Sequence, residues 1–309
     1  GCSGFQYDFS FDKSIEKDDL KFENILIDKA SANLLKGSEV DYVSELIGNS
    51  FKQEWFDSLA IQVRHLSNNL ETDLLGNHLF ANAKALVFAG LFFKGKESDG
   101  WYQTGLNIIE KELLEQVLTD GGNFELSPMY HSIFLLDLLD LVNIHHAYNK
   151  KQISGVKDKI PLMLYWLKSM CHPDGGISFF NDTAFGVAPS LDELLDYAKR
   201  LSIKNISDKV KTLEYLKDSG YIRVERKNLV AILDVANIGP DYNPGHGHAD
   251  VLSFELSLFG KRVIVNSGTS IYGTSSERHN QRSSLSHSTV VIDEQNSSEV
   301  WSGFRVARR

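Results

Sequence analysis

The sequence predicts an α+β multidomain protein: stacked helix pairs over residues 1–212, then an antiparallel β-sandwich, incomplete, over residues 213–309. Three observations predict this. From about Phe51 to Leu201 the apolar residues recur at the helical period, and after Gly220 the period becomes two. A unit of helix, Asp-Gly-Gly and short extended stretch also occurs twice, at Asp120 and Asp174, the pattern of repeated αα-hairpins in a helical solenoid or an incomplete α/α barrel. The boundary falls near Ser207 to Gly220.

The helices follow in order. Ser50-Phe51-Lys52-Gln53 has the form of a capping box and leads into Trp55, Leu59, Ile61, Val63 and Leu66. Asn77 is placed to cap a helix running through Leu79, Ala83, Leu86, Val87, Ala89, Leu91 and Phe93. The next runs from about Trp101 to Leu118 and stops at Asp120-Gly121-Gly122, where glycine permits a left-handed end. Ser127-Pro128 pairs a capping serine with a proline at the first helical position, ahead of Ile133, Leu135, Leu136, Leu138, Leu139 and Leu141. A helix over about Val156 to Met170 closes at Pro173-Asp174-Gly175-Gly176, and Ser190-Leu191-Asp192-Glu193 opens another with a second capping box.

Beyond the boundary, Tyr221 to Val224, a turn at Arg226-Lys227-Asn228 and Leu229 to Val235 predict a hairpin. In Val251 to Leu258, Leu252, Phe254, Leu256 and Leu258 share one face and the polar residues the other. Gly260-Lys261 turns the chain into Arg262 to Asn266, and Ser288 to Asp293 is expected as a further strand.

Composition limits the function. With 42% hydrophobic, 24% charged and 11% aromatic residues, the chain can build a sizeable core. A net charge of −9 argues against nucleic acid as a partner, since phosphate binding needs a basic surface. Cys2 and Cys171 have no metal-ligand spacing and no disulfide is expected. No secretory signal or membrane-length apolar run is visible. Because it starts at Gly1 and stops at Arg308-Arg309 straight after a strand-like stretch, the chain reads as a piece of a longer protein. It has neither a phosphate loop nor a Gly-x-Ser-x-Gly elbow, which disfavours nucleotide use and α/β-hydrolase chemistry.

Chemistry is expected around Asn243-Pro244-Gly245-His246-Gly247-His248-Ala249-Asp250. On a strand edge His246 and His248 share a face and could converge on substrate or metal, with His287 as a third imidazole; loop histidines bonded to backbone are the plainer alternative. Other candidates are Asn77-His78, Tyr130-His131 in a first helical turn, Asn181-Asp182 after the second Asp-Gly-Gly unit, and Arg278, Arg282 and Arg305. Each has a structural reading beside it: a helix cap, a tyrosine filling space beneath a loop, a turn pair, a solvated basic face.

Four stretches in order resemble the heparinase II/III family of polysaccharide lyases. They are Gly76-Asn77-His78-Leu79-Phe80-Ala81-Asn82-Ala83-Lys84-Ala85-Leu86, Glu125-Leu126-Ser127-Pro128-Met129-Tyr130-His131, Gly245 to Asp250, and Ser286-His287-Ser288-Thr289-Val290-Val291 through Trp301-Ser302-Gly303-Phe304-Arg305. The resemblance covers most of the chain from about Phe51. It implies an incomplete α/α toroid followed by an antiparallel β-sandwich, and β-elimination on an acidic, uronic-acid-containing polysaccharide by a periplasmic or secreted bacterial enzyme.

By resemblance Asn77 and His78 neutralise the uronate carboxylate, and Tyr130 and His246 are the catalytic tyrosine and histidine. A structural zinc is implied too, with His248 and His287 at two ligand positions; Asn266 stands where the family commonly has aspartate. Glu277-Arg278 is followed by His279-Asn280, where some relatives carry a second tyrosine, and Tyr242 and Tyr272 are the substitutes nearest in sequence. Two competing functions are a glycoside hydrolase using Asp174 or Asp182 with Glu125, and a non-catalytic glycan-binding or polysaccharide-biosynthesis-associated protein.

Overall fold

The computed structural model describes residues 20–22, 25–27, 53–204 and 210–307. Ser50, Phe51 and Lys52 of the expected capping box lie outside these, as do Cys2, Ser207 and the terminal arginine pair. Residues 1–62 and 63–309 are separate compact units. The first contains an antiparallel hairpin of β1 (Leu20–Phe22) and β2 (Ile25–Ile27), in which Leu20 faces Ile27, and the opening of α1 (Gln53–Asn68).

The second unit begins with helices: α2 (Gly76–Phe92), α3 (Lys96–Gln116), α4 (Pro128–Ala147), α5 (Val156–Ser169) and α6 (Leu191–Arg200). Their apolar faces meet in a core that includes Phe80, Val87, Leu113, Leu135, Leu138 and Met163. Two local signals act as read. Ser127 Oγ accepts from the Tyr130 amide with Pro128 at the first helical position, and Ser190 and Glu193 form a reciprocal capping box.

The cap at Asn77 is a correction. The helix starts at Gly76, with Leu75 in the cap position at φ 57°, and the Asn77 amide donates instead to Glu125 Oε1 at 3.2 Å. A carboxylate from another loop thus satisfies the exposed helix end. Gly76 makes room for it, since a Cβ there would stand 2.7 Å from Glu125 Oε1.

The two Asp-Gly-Gly units are copies of one loop. In each, the aspartate accepts from the amide two residues on, Asp120 from Gly122 at 3.0 Å and Asp174 from Gly176 at 2.9 Å. In each, the flanking chain closes with an isolated antiparallel bridge, Val117 to Asn123 and Cys171 to Ile177. The chain leaving the first loop is Glu125 to Tyr130, and the chain leaving the second is Asn181-Asp182.

The β-rich portion is a five-stranded antiparallel sheet in sequential order: β3 (Leu213–Leu216), β4 (Tyr221–Arg226), β5 (Leu229–Asp234), β6 (Phe254–Leu258) and β7 (Lys261–Ile264). Strand β8 (Glu299–Trp301) pairs with β9 (Arg305–Ala307), and a short helix, α7 (Ser276–Arg282), follows β7. This is the helical region followed by antiparallel sheet that the patterning predicts, and it fits the incomplete toroid and truncated sandwich that the resemblance implies.

Alternation in β6 runs opposite to the usual rule. Glu255 and Ser257 are the buried positions, and Phe254, Leu256 and Leu258 are on the partly open face. The sheet packs its polar-bearing face inward: Glu255 faces His172 Nε2 at 2.8 Å and accepts from the amides of Phe179 and Asn266, and Arg223 donates to the carbonyls of Ser169 and Cys171. Burial is possible because these polar atoms are paired.

The expected strand Ser288 to Asp293 does not form. That segment is pinned by the Ser288 amide on Asn266 Oδ1 and by Thr289 Oγ1 on the Val251 carbonyl, while Val290 and Ile292 stay exposed. β6 starts at Phe254, because Leu252 takes a left-handed φ of 64° and ends any ladder. No described helix is long and apolar enough to cross a membrane.

Candidate active site

The site is assembled by the loops that follow the two Asp-Gly-Gly units and by the segment Gly245 to Asp250. The second loop and that segment are bonded backbone to backbone, the Asp182 amide donating to the His246 carbonyl at 3.2 Å. The Asn181 side chain takes the His248 amide at 3.0 Å and gives its own N–H to Leu126 O at 3.0 Å, which ties both copied loops to the histidine segment. Gly247 lies against Ile238, where a Cβ would stand 2.7 Å from the Ile238 carbonyl oxygen.

Asp182 is the hub. Its carboxylate meets His246 Nδ1 at 2.9 Å, His248 Nε2 at 2.8 Å and Arg278 Nη2 at 2.8 Å, with Arg278 Nη1 also donating to it. Complete burial works to raise its pKa, but the hydrogen bonds from His246, His248 and Arg278 outweigh this and hold the carboxyl well below its ordinary range. An ionised carboxylate only accepts, so Nδ1 of His246 and Nε2 of His248 carry protons. That leaves His246 Nε2 facing Glu125, whose Oε2 lies 3.7 Å away and makes no hydrogen bond of its own.

Tyr130 stacks on His246, with ring centroids 3.9 Å apart and planes 29° from parallel. Phe304 meets His246 edge-on at 6.0 Å and stacks on Tyr272 at 5.4 Å, and the Tyr272 hydroxyl returns to the Tyr130 hydroxyl at 3.0 Å. These four rings close a cycle.

The expected residues separate accordingly. Tyr130 and His246 are in direct contact, and Asn77 joins them through its amide on Glu125. His78 turns Nδ1 toward Glu71 Oε1 at 3.2 Å. His131 is structural: it takes the Asn123 amide, faces the Met163 carbonyl, stacks on Trp166, and burial pushes it down to about 3. Of the arginines, Arg278 and Arg282 are fully buried, Arg282 on the carbonyls of Gly247 and Ser302, and Arg305 is exposed. The first two are therefore braces, neither a solvated face nor free carboxylate binders. Tyr242 points its hydroxyl at Glu115, away from Tyr130, whereas Tyr272 reaches it.

For zinc, His248 Nδ1 and His287 Nε2 stand 3.2 Å apart, close to the roughly 3.3 Å between two nitrogens on one tetrahedral zinc. Burial lowers His248 and pushes His287 down to about 3, so both are neutral and suited to ligation. The Asn266 amide is committed elsewhere, accepting from Ser288 N at 3.1 Å and donating to Ser253 Oγ at 3.3 Å. No group of three or more His, Cys, Asp or Glu side chains able to hold a metal occurs among the described residues. The fit is a two-imidazole half-site without a carboxylate, and no chemical step is assigned to a metal.

Asp182, Glu125 and Arg278 are the residues that sequence reading undervalued. The available signal was the repeat, since Asn181-Asp182 leaves the second loop much as Ser127 to Tyr130 leaves the first.

Comparison with known proteins gives these likenesses over the greater part of the chain; a stretch of 55 residues is also 47% identical to a putative iron-sulfur cluster insertion protein of Azoarcus sp., covering 16% of this chain and 47% of that protein. Residues 41–201 match the family described as heparinase II/III N-terminus, and residues 208–309 match heparinase II/III-like, C-terminal. A heparin-sulfate lyase of Bacteroides stercoris is 27% identical over 72% of this chain and 36% of that protein. One of Pedobacter heparinus is 27% identical over 80% of this chain and 40% of that protein. The chain thus spans about two fifths of the length of these relatives. Among solved structures, heparan sulfate lyase HepC of Pedobacter heparinus aligns at a TM-score of 0.59 with 24% identity, covering 79% of this chain and 41% of that one. A heparinase III aligns at 0.68 with 19% identity, covering 86% and 46%. These structural likenesses speak to the fold.

Proposed function

This chain belongs to the heparinase II/III family, and from that premise we propose that it carries the acid–base centre of a lyase cleaving uronic-acid-containing polysaccharide by β-elimination. The observation that carries the proposal is the Tyr130–His246 stack, with His246 fixed by a buried ionised carboxylate and bordered by the amino terminus of α2.

Elimination needs three things of the protein. The uronate carboxylate must be neutralised so that the C5 proton becomes acidic, one group must take that proton, and another must protonate O4. The electron pair of the C5–H bond becomes the C4–C5 double bond, and the C4–O4 pair leaves with O4. Tyr130 and His246 are the two proton-exchanging groups. Asp182 holds the proton on His246 Nδ1, which assigns Nε2 as the exchanging atom. Asn77 and His78 supply the donors for the carboxylate, with Glu71 holding His78 Nδ1.

A hydrolase mechanism finds less support. Asp182 is buried, ionised and saturated by donors, and Asp174 is bound to Arg262 at 2.8 Å on the surface. Neither stands opposite Glu125 as a free acid. A periplasmic or exported location belongs to the same proposal, because a long acidic polysaccharide is met outside the cytoplasm; fractionation of the native host checks it.

The test is a panel of heparan sulfate, alginate, hyaluronan and chondroitin, assayed with the full-length protein for near-ultraviolet absorbance of an unsaturated uronate. Saturated products would overturn the proposal in favour of hydrolysis. Tight saccharide binding without turnover would select the non-catalytic alternative.

A further inference from the structure

Tyr272 stands in the segment between β7 and α7. Its ring is held by two neighbours, which also touch each other, the Arg278 guanidinium lying 5.5 Å from the Phe304 centroid. Phe304 stacks on it at 5.4 Å, and the Arg278 guanidinium lies 5.1 Å from its centroid. Arg278 cannot drift, because Asp182, Thr269 Oγ1 and the Gly303 carbonyl hold it. A cation over the π-face favours negative charge on that ring and makes the hydroxyl a better donor. That hydroxyl points at the Tyr130 hydroxyl, 3.0 Å away.

We propose that Tyr272 is a positioning residue for Tyr130: its hydroxyl holds Tyr130 Oη in place and stabilises the phenolate through which Tyr130 passes. The assignment rests on the elimination reading only for its use in turnover, since the coupling of the two phenols is a property of the unliganded protein. If Tyr130 is the base, its phenolate takes the C5 proton on Oη and becomes the phenol. If it is the acid, its O–H bond breaks toward O4 and leaves the phenolate. The anion is one end of the step in both cases, so a donor aimed at Oη assists either direction. The groups facing Tyr130 include His246, stacked on it, and Tyr272; behind them lie Asp182 and Glu125 on His246, and Arg278 over Tyr272. Tyr272 is not at the position after Glu277-Arg278, where His279-Asn280 stand.

Tyr272→Phe removes the hydroxyl and keeps the ring against Phe304 and Arg278. Isotope-labelled tyrosine rings in this chain, followed by NMR against pH, report Tyr130 directly, its signal identified by its loss in Tyr130→Phe. Loss of one donor to a charged oxygen should move the Tyr130 titration upward by about one pH unit, roughly tenfold in its equilibrium. An unmoved titration overturns the proposal, and so does a downward shift. On whichever polysaccharide the panel identifies, the variant should lose about tenfold in kcat with KM unchanged, and the limb of the pH–rate profile set by Tyr130 should move up. A rise in KM alone would make Tyr272 a substrate contact and overturn the positioning role. Should the wild-type protein make no unsaturated product, the elimination reading falls, while the NMR titration still decides whether Tyr272 sets the ionisation of Tyr130.

Discussion

Replacing Asp182 with asparagine isolates the hub on which the site hangs. The carboxylate accepts from His246, His248 and both terminal nitrogens of Arg278, all in a fully buried setting. Asparagine keeps the shape but offers one acceptor oxygen and sets an NH2 against at least one of these donors. Arg278 would retain the Gly303 carbonyl and Thr269 Oγ1 but lose its counter-charge. Removing one partner of a buried ion pair costs roughly 3–5 kcal/mol. At about 2–4 °C per kcal/mol for a chain of this class, the midpoint of thermal unfolding should fall by roughly 6–20 °C. Asn181→Ala is the comparison. It removes three neutral hydrogen bonds from the same loop, worth about 1.5–4.5 kcal/mol together. The pH dependence carries its own sign. The folded-state pKa of Asp182 is depressed, so its contribution is complete above the ordinary carboxylate value and is lost as pH falls below about 4. The gap between wild type and Asp182→Asn, read by urea titration, should be constant above about pH 5 and should shrink below about pH 4. A loss under about 1 kcal/mol, or a gap that widens on acidification, would refute Asp182 as the counter-charge of Arg278.

Three further expectations follow from the same geometry. Tyr130→Phe and His246→Ala should each lower elimination by about 10²–10⁴-fold, measured as unsaturated product per unit time. Asn266→Asp would add a carboxylate beside the His248–His287 half-site, so elemental analysis after dialysis against zinc should show more bound metal than in the wild type; equal metal in both would count against these residues as a ligand set. His131 is held near 3 by burial, so as pH falls from about 6.5 toward 3 the unfolded chain takes up a proton that the folded chain refuses, at about 1.4 kcal/mol per pH unit. His131→Gln removes that term, and its stability deficit relative to wild type should narrow across this window; a constant deficit would contradict a neutral buried imidazole.

Most helices and the β4–β5 hairpin were legible because their causes are local. Ser127-Pro128 and the Ser190–Glu193 box act within one turn, and the change of period marks where helices give way to strands. The Asp-Gly-Gly repeat was legible for the same reason, each aspartate accepting an amide two residues on. Where sequence reading failed, the deciding partner was far along the chain. Asn77 does not cap its helix because Glu125, 48 residues away, does so. The strand expected at Ser288 to Asp293 is held by Asn266 and Val251 through single contacts and finds no ladder among the described residues. The apolar face of β6 is not the one buried against the helices, since Glu255 and Ser257 meet His172 there.

The sequence by itself determined the two-part architecture and named Tyr130 and His246, because periodicity, caps and motif residues are written in consecutive positions. Only the tertiary structure decided what those residues touch. Asp182 joins His246, His248 and Arg278 across separations of 64, 66 and 96 residues, and Tyr272 reaches Tyr130 across 142. Such contacts depend on which loops the packed core brings to one place, and the cost of burying a charge then requires that its partners be there.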